Sequence, residues 1–207
     1  MTGEELQLRR VVVSISGLLY WGGVLIQARR VHKQIGHSPN LKPRGAKEKA
    51  LWLVWFLVIV FWVGQPFLIA DEASKPGLNL LRALLHPAGL LLGLILVVLG
   101  YACTLWCYAA MGNTWRIGIN AKEKTTLVSR GPYRYVRHPI YLFQIVMLTG
   151  AAMLLPTLAS IAMLMLHWVC ILIKARDEED YLTRIHGEAY SNYLNRTGRL
   201  FPKLTRK

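Results

Sequence analysis

Five apolar runs, separated by short polar connections, set the pattern of this chain. They cover 11–27, 51–70, 87–110, 140–155 and 157–173, the last two parted only by Pro156. Uncharged runs of this kind predict membrane-spanning helices, because a helix satisfies its own backbone groups in hydrocarbon. Gln65-Pro66 marks a local bend near the end of the second run, and Pro87 opens the third. The fourth and fifth runs, at 16 and 17 residues, are only about 25 Å long at ~1.5 Å per residue. They predict a tight helical hairpin, shallow or set in locally thinned bilayer. Beyond them, 181–196 continues as an aromatic, charged helix with a break at Gly187.

The fold class expected is therefore all-α: a polytopic membrane protein of about five transmembrane helices, with a C-terminal hairpin and a further helix after it. With 207 residues, 54% of them apolar, there is no room for a separate soluble domain. The first run follows Arg9-Arg10, but Glu4 and Glu5 precede it and no small-residue cleavage site closes it, so it is expected to be retained. A twin-arginine export signal is a poor match, because Val11-Val12-Val13 follows the pair.

Charge then fixes an orientation. The net charge of +14 does not point to nucleic acid, since the basic residues alternate with apolar spans and form no soluble basic face. Five spans with the N-terminus outside put 21 of the 25 Lys and Arg inside and four outside. An even number of spans breaks that sorting, so the C-terminus is expected on the cytoplasmic side. Residues 131–141 and the charged stretch 174–180 then share the cytoplasmic face.

Those two stretches carry the candidate chemistry. Residues 131–141 read GPYRYVRHPIY. Gly131-Pro132 is a turn signal, and Pro139 suits the first turn of a helix, which places Arg137 and His138 at the helix entrance. Free N–H groups gather there and favour an anionic group. A basic, aromatic interfacial belt is the other reading of the same residues. In 174–180, KARDEED, Lys174 and Glu178 fall on one helical face with Ile171 and His167, so three ionisable groups line a stripe from membrane depth to the surface. An ordinary interfacial ion pair for Lys174 and Glu178, and a satisfied buried histidine for His167, stand beside any functional role. Tyr190 and Tyr193 form an aromatic wall or pack at the headgroup level. Cys103, Cys107 and Cys170 lie within spans and read as small buried hydrophobes, and no Cys or His spacing suggests a metal site.

GPYRYVRHPIY, the acidic helix about 35 residues later and the stretch HGEAYSNYLNRTGRLFP together resemble the isoprenylcysteine carboxyl methyltransferase family and its phospholipid-methylating relatives. The resemblance covers roughly 112–202. It implies an S-adenosylmethionine-dependent methyltransferase without a Rossmann domain, acting on a lipophilic or small acceptor among the membrane lipids, with the carboxylate of an isoprenylcysteine-like acceptor as the first expectation. Residues 1–110 would then be three anchoring helices and 111–207 the catalytic half of one integrated domain. Carried over by position, the cofactor pocket would hold Thr125, Thr126, Leu127, Val128, Tyr133, His138, Pro139, Ile140 and Tyr141, with Lys174 and Glu178 as catalytic residues on the acceptor side. The family usually has arginine at the position of Lys174, and lysine lacks its bidentate fork for a carboxylate. N- or S-methylation of an amine or thiol, an NADPH-dependent reductase of the sterol-reductase type and a non-enzymatic membrane anchor are the alternatives.

Overall fold

A computed structural model describes residues 2–39, 43, 45–69, 77–117 and 126–203. Six helices make up the described fold: α1 Gly3–Ile35, α2 Gly45–Leu68, α3 Pro87–Met111, α4 Pro139–Leu154, α5 Leu158–His186 and α6 Glu188–Arg196. Among the described residues there is no strand, only two isolated bridge pairs, Leu80 with Thr157 and Val136 with Gly198. Four of the helices are long and apolar enough to cross a membrane, and the 16-residue α4 is the shorter apolar one.

Local chemistry sets most boundaries. Thr2 caps α1 by accepting from the Glu5 N–H at 3.2 Å, and Gly36 ends it in the left-handed region at φ 77°. His86 and Thr157 cap α3 and α5 in the same way, at 3.1 and 2.9 Å. Such caps satisfy donors that the first helical turn leaves free.

The helices alternate in direction, as the sequence predicts. At one end of the bundle the Leu81 N–H donates to the Pro156 carbonyl at 2.8 Å, and the Ala159 N–H to that of Gly77 at 2.9 Å. The connection between α2 and α3 and the turn between α4 and α5 therefore lie together. The N-terminal part of α1 joins them, because Arg9 donates to the Leu154 carbonyl at 3.1 Å and Arg10 to that of Ile69. Each arginine thus caps the C-terminal end of another helix, where the backbone dipole favours a cation. Arg9 is fully buried and holds Glu5 at 2.8 Å. At the opposite end, the Ile117 N–H donates to the Pro39 carbonyl at 3.1 Å.

Tight packing of α3 on α4 forms the central seam. A Cβ at Gly150 would lie 2.7 Å from the Gly93 carbonyl oxygen, so only glycine permits this approach. Small residues bring membrane helices into contact where the apolar effect gives no drive. The outer faces stay apolar, with Leu18, Phe67, Leu91 and Val98 all exposed. This is the surface of an integral membrane protein.

Candidate active site

The chain before α4 is a tight turn. Gly131 opens a short 3-10 turn, Gly131–Arg134, with φ 58°, a conformation glycine reaches without steric cost. His138 is the N-cap of α4 and Pro139 its first residue, as the sequence predicts. The His138 side chain makes no cap bond, which leaves its ring to other partners.

Those partners come from α5. Glu178 and Glu179 are successive helical residues, so their side chains diverge by about 100°. Glu178 Oε2 lies 3.4 Å from His138 Nδ1, and its Oε1 accepts from the Tyr141 hydroxyl at 2.6 Å. Glu179 Oε1 lies 3.3 Å from His138 Nε2, an ion-pair distance without hydrogen-bond alignment. The imidazole stacks on the Tyr141 ring at 5.6 Å with only 13° between the planes. Burial opposes a charge on His138, and the two carboxylates more than offset it, raising its pKa above 6.5. Burial likewise pushes the Tyr193 hydroxyl up to about 12.

These groups close the polar end of a cavity of about 340 Å³. Of the residues expected for a cofactor pocket, Thr126, Leu127, Val128 and Tyr133 line it, as do His138, Ile140 and Tyr141. Pro139 does not; it serves the helix start. Thr125 lies outside the described residues. Glu178 is in the wall, whereas Lys174 is not. One turn deeper on α5, Lys174 is buried against a small separate slot with Glu48, Trp52 and Trp55. His167 is deeper again, fully buried beside Trp55 at a ring distance of 6.5 Å, with neither nitrogen hydrogen-bonded among the described residues.

Much of the wall comes from helices that carry no recognisable motif. Tyr20 and Trp21 of α1, Trp52 and Trp55 of α2, and Tyr108 of α3 face Tyr190 and Tyr193 of α6 across it. Aromatic residues scattered along apolar spans look like lipid-facing or interfacial side chains in sequence, so their convergence has no sequence signal. Three residues of the wall carry a buried polar atom without a hydrogen-bond partner among the described residues: Trp21 Nε1, His138 Nε2 and Tyr190 OH. Such atoms are costly to leave unsatisfied in a folded protein and mark where a polar ligand gains most.

Part of the chain has counterparts among known proteins. Residues 88–189 match the family of phospholipid methyltransferases. This stretch belongs to the phospholipid methyltransferase family. It contains the seam of α3 and α4, the turn and both glutamates. The chain is also similar to the cobalt-zinc-cadmium resistance protein CzcN of Cupriavidus metallidurans, 30% identical over 153 residues, covering 73% of this chain and 63% of that protein. The nickel-cobalt-cadmium resistance protein NccN of Alcaligenes xylosoxydans xylosoxydans is 29% identical over 98 residues, 47% of this chain and 46% of that one. A methanethiol S-methyltransferase of Crocosphaera subtropica is 34% identical over 90 residues, 42% of this chain and 34% of that enzyme. The chain thus spans less than two thirds of the length of each relative. The resemblance in GPYRYVRHPIY is borne out at the level of the family.

Proposed function

We propose that this chain is a membrane methyltransferase that takes its methyl group from S-adenosylmethionine and passes it to a lipophilic acceptor carrying a removable proton, a thiol or an amine. The observation that carries this reading is the meeting of Glu178 with His138 and Tyr141 in the wall of a cavity lined mostly by aromatic and aliphatic side chains. A pocket of this size and lining suits a small molecule with flat rings and a few polar groups. The unpartnered Trp21 and Tyr190 atoms are suited to the polar groups of such a cofactor, and the aromatic wall suits its positive charge.

When bound, S-adenosylmethionine supplies a methyl group on a positively charged sulfur. The residues of the chain then have three tasks. Tyr133, Tyr141 and the aromatic faces opposite exclude water and hold donor and acceptor in line, which can lower the barrier by on the order of 7–11 kcal/mol at best. Glu178, oriented by the Tyr141 hydroxyl, accepts the proton of the acceptor as the new bond to carbon forms. His138 holds the second oxygen of that carboxylate.

The carboxylate acceptor expected first from the resemblance is less well supported. It calls for a cation in the cavity, and among the described residues Lys174 lies outside it. Of the two arginines in the wall, Arg137 is held by Glu179, and Arg116 donates to the Asn113 and Trp115 carbonyls. The excess of Lys and Arg on the connections at this end favours a cytoplasmic site.

Membranes containing the protein, incubated with methyl-labelled S-adenosylmethionine, should yield a labelled lipophilic thioether or amine that survives mild base. A base-labile product would make the acceptor a carboxylate. Binding of NADPH in place of the methyl donor by the purified protein would replace the methyltransferase with a reductase.

A further inference from the structure

Glu179 stands next to the proposed proton acceptor, yet it is not part of the cavity wall. It is buried, 7% exposed, and three cationic side chains converge on it. Arg137 Nε donates to Oε1 at 2.8 Å, Arg199 donates through Nε to Oε1 at 3.1 Å and through Nη2 to Oε2 at 2.5 Å, and His138 Nε2 lies 3.3 Å from Oε1. Arg137 and His138 belong to the turn before α4. Arg199 belongs to the bent strap that follows α6.

That strap is tied to the same turn through its backbone. The Arg137 N–H donates to the Gly198 carbonyl at 2.9 Å, and the His138 N–H to the Arg199 carbonyl at 3.1 Å. The Arg137 guanidinium also donates to the Thr197 carbonyl, and the Tyr193 hydroxyl to that of Tyr133 at 2.6 Å. A Cβ at Gly198 would run into the carbonyl of Phe201, so the strap depends on glycine there. The strap lies beyond residues 88–189, where the family match ends.

We propose that Glu179 is a positioning residue, and that the C-terminal strap acts on the cavity through it by setting the orientation and proton occupancy of His138. The imidazole is held between two carboxylates, Nδ1 toward Glu178 in the wall and Nε2 toward Glu179 behind it. Arg199 competes with His138 for the charge of Glu179. Docking of the strap therefore weakens the hold of Glu179 on the ring, and its release strengthens it. The groups around His138 are Arg137 on its own turn, Tyr141 on α4, Glu178 and Glu179 on α5, Tyr190 on α6 and Arg199 on the strap. Among the described residues, Glu179 meets the ring from outside the cavity and Arg199 meets Glu179 there with opposite charge. The consequence for methyl transfer rests on the function proposed above; the charge relay itself does not.

The test titrates His138 by NMR in full-length protein labelled at histidine carbon, in detergent, with the signal assigned by its loss in His138→Gln. Glu179→Gln should lower the titration midpoint by about one pH unit, a tenfold change in the ratio of charged to neutral ring. Arg199→Ala should raise it, and Arg199→Lys should restore it toward wild type. A merely structural clamp predicts loss of thermal stability in both variants with no opposed movement of the midpoint, and that result, or movement in the same direction, overturns the proposal. If Glu179→Gln does not fold, the Arg199→Ala and Arg199→Lys pair decides alone: a midpoint unmoved by Arg199→Ala sinks the idea. In parallel, affinity for S-adenosylhomocysteine across pH should shift with the midpoint. Wild-type protein that binds no such ligand would count against the methyltransferase reading, while the titration would still decide the role of Glu179.

Discussion

The hydroxyl of Tyr141 donates to Glu178 at 2.6 Å, joining the first turn of α4 to the end of α5. The two residues are 37 apart in sequence, and with His138 beside Glu178 they tie the turn motif to the acidic helix within the cavity wall. A hydrogen bond to a charged group contributes about 1.5–3 kcal/mol. Tyr141→Phe keeps the ring stacked on His138 and removes only this bond. The rate of label transfer from methyl-labelled donor should fall about tenfold or more, and an unchanged rate would remove Tyr141 from the proposed chemistry. Glu178→Gln should fall further, because it also removes the proton acceptor.

The raised pKa of His138 makes stability depend on pH. Its folded value lies above 6.5, so the folded state binds the proton more tightly than the unfolded chain. The stabilisation is fully present below about pH 6.5 and is lost as pH rises through the folded value. The thermal midpoint in detergent should therefore decline across that window on the alkaline side. In His138→Gln this part of the slope should disappear, and a slope that persists would place its origin elsewhere.

Close contact of α3 with α4 predicts sensitivity at a site remote from any chemistry. Gly150→Ala would press a methyl group to 2.7 Å from the Gly93 carbonyl oxygen. Overpacking of this kind costs about 1–3 kcal/mol. Thermal unfolding should shift downward accordingly, whereas Gly64→Ala, with open space around its Cβ position, should change little.

Arg9 gives the complementary case. Arg9→Ala leaves the Leu154 carbonyl without its donor and frees Glu5. Loss of these bonds should cost about 1–3 kcal/mol and lower the thermal midpoint. Because Arg9 lies at the end of the bundle away from His138, affinity for the methyl donor, measured by calorimetry on the folded fraction, should stay within twofold.

Sequence and structure agree where the physics is local. Apolar run length gives the five apolar helices, four of them long enough to cross a membrane, and Gly131-Pro132 with Pro139 gives the turn and the start of α4. The paired acids after the last span give Glu178. Lys174 was harder to read. It shares a face with Glu178 by its spacing of four, but one helical turn displaces it ~6 Å along the axis, and Trp52 and Trp55, which line the cavity, also line the slot that holds it. The part played by Tyr20, Trp21, Trp52 and Trp55 depends on how α1 and α2 pack, which their apolar pattern does not encode. The contact of Arg199 with Glu179 requires the chain to double back after α6, and no spacing rule reports that.

Arg9 and Arg10 also constrain how the chain is made. Both side chains end on carbonyls at the finish of helices synthesised later, α2 for Arg10 and α4 for Arg9. While the ribosome is still producing those segments, the two guanidinium groups have only water, Glu5 and lipid phosphate as partners. The seat of α1 in the bundle is therefore complete only once the ends of α2 and α4, which follow it in the chain, are in place.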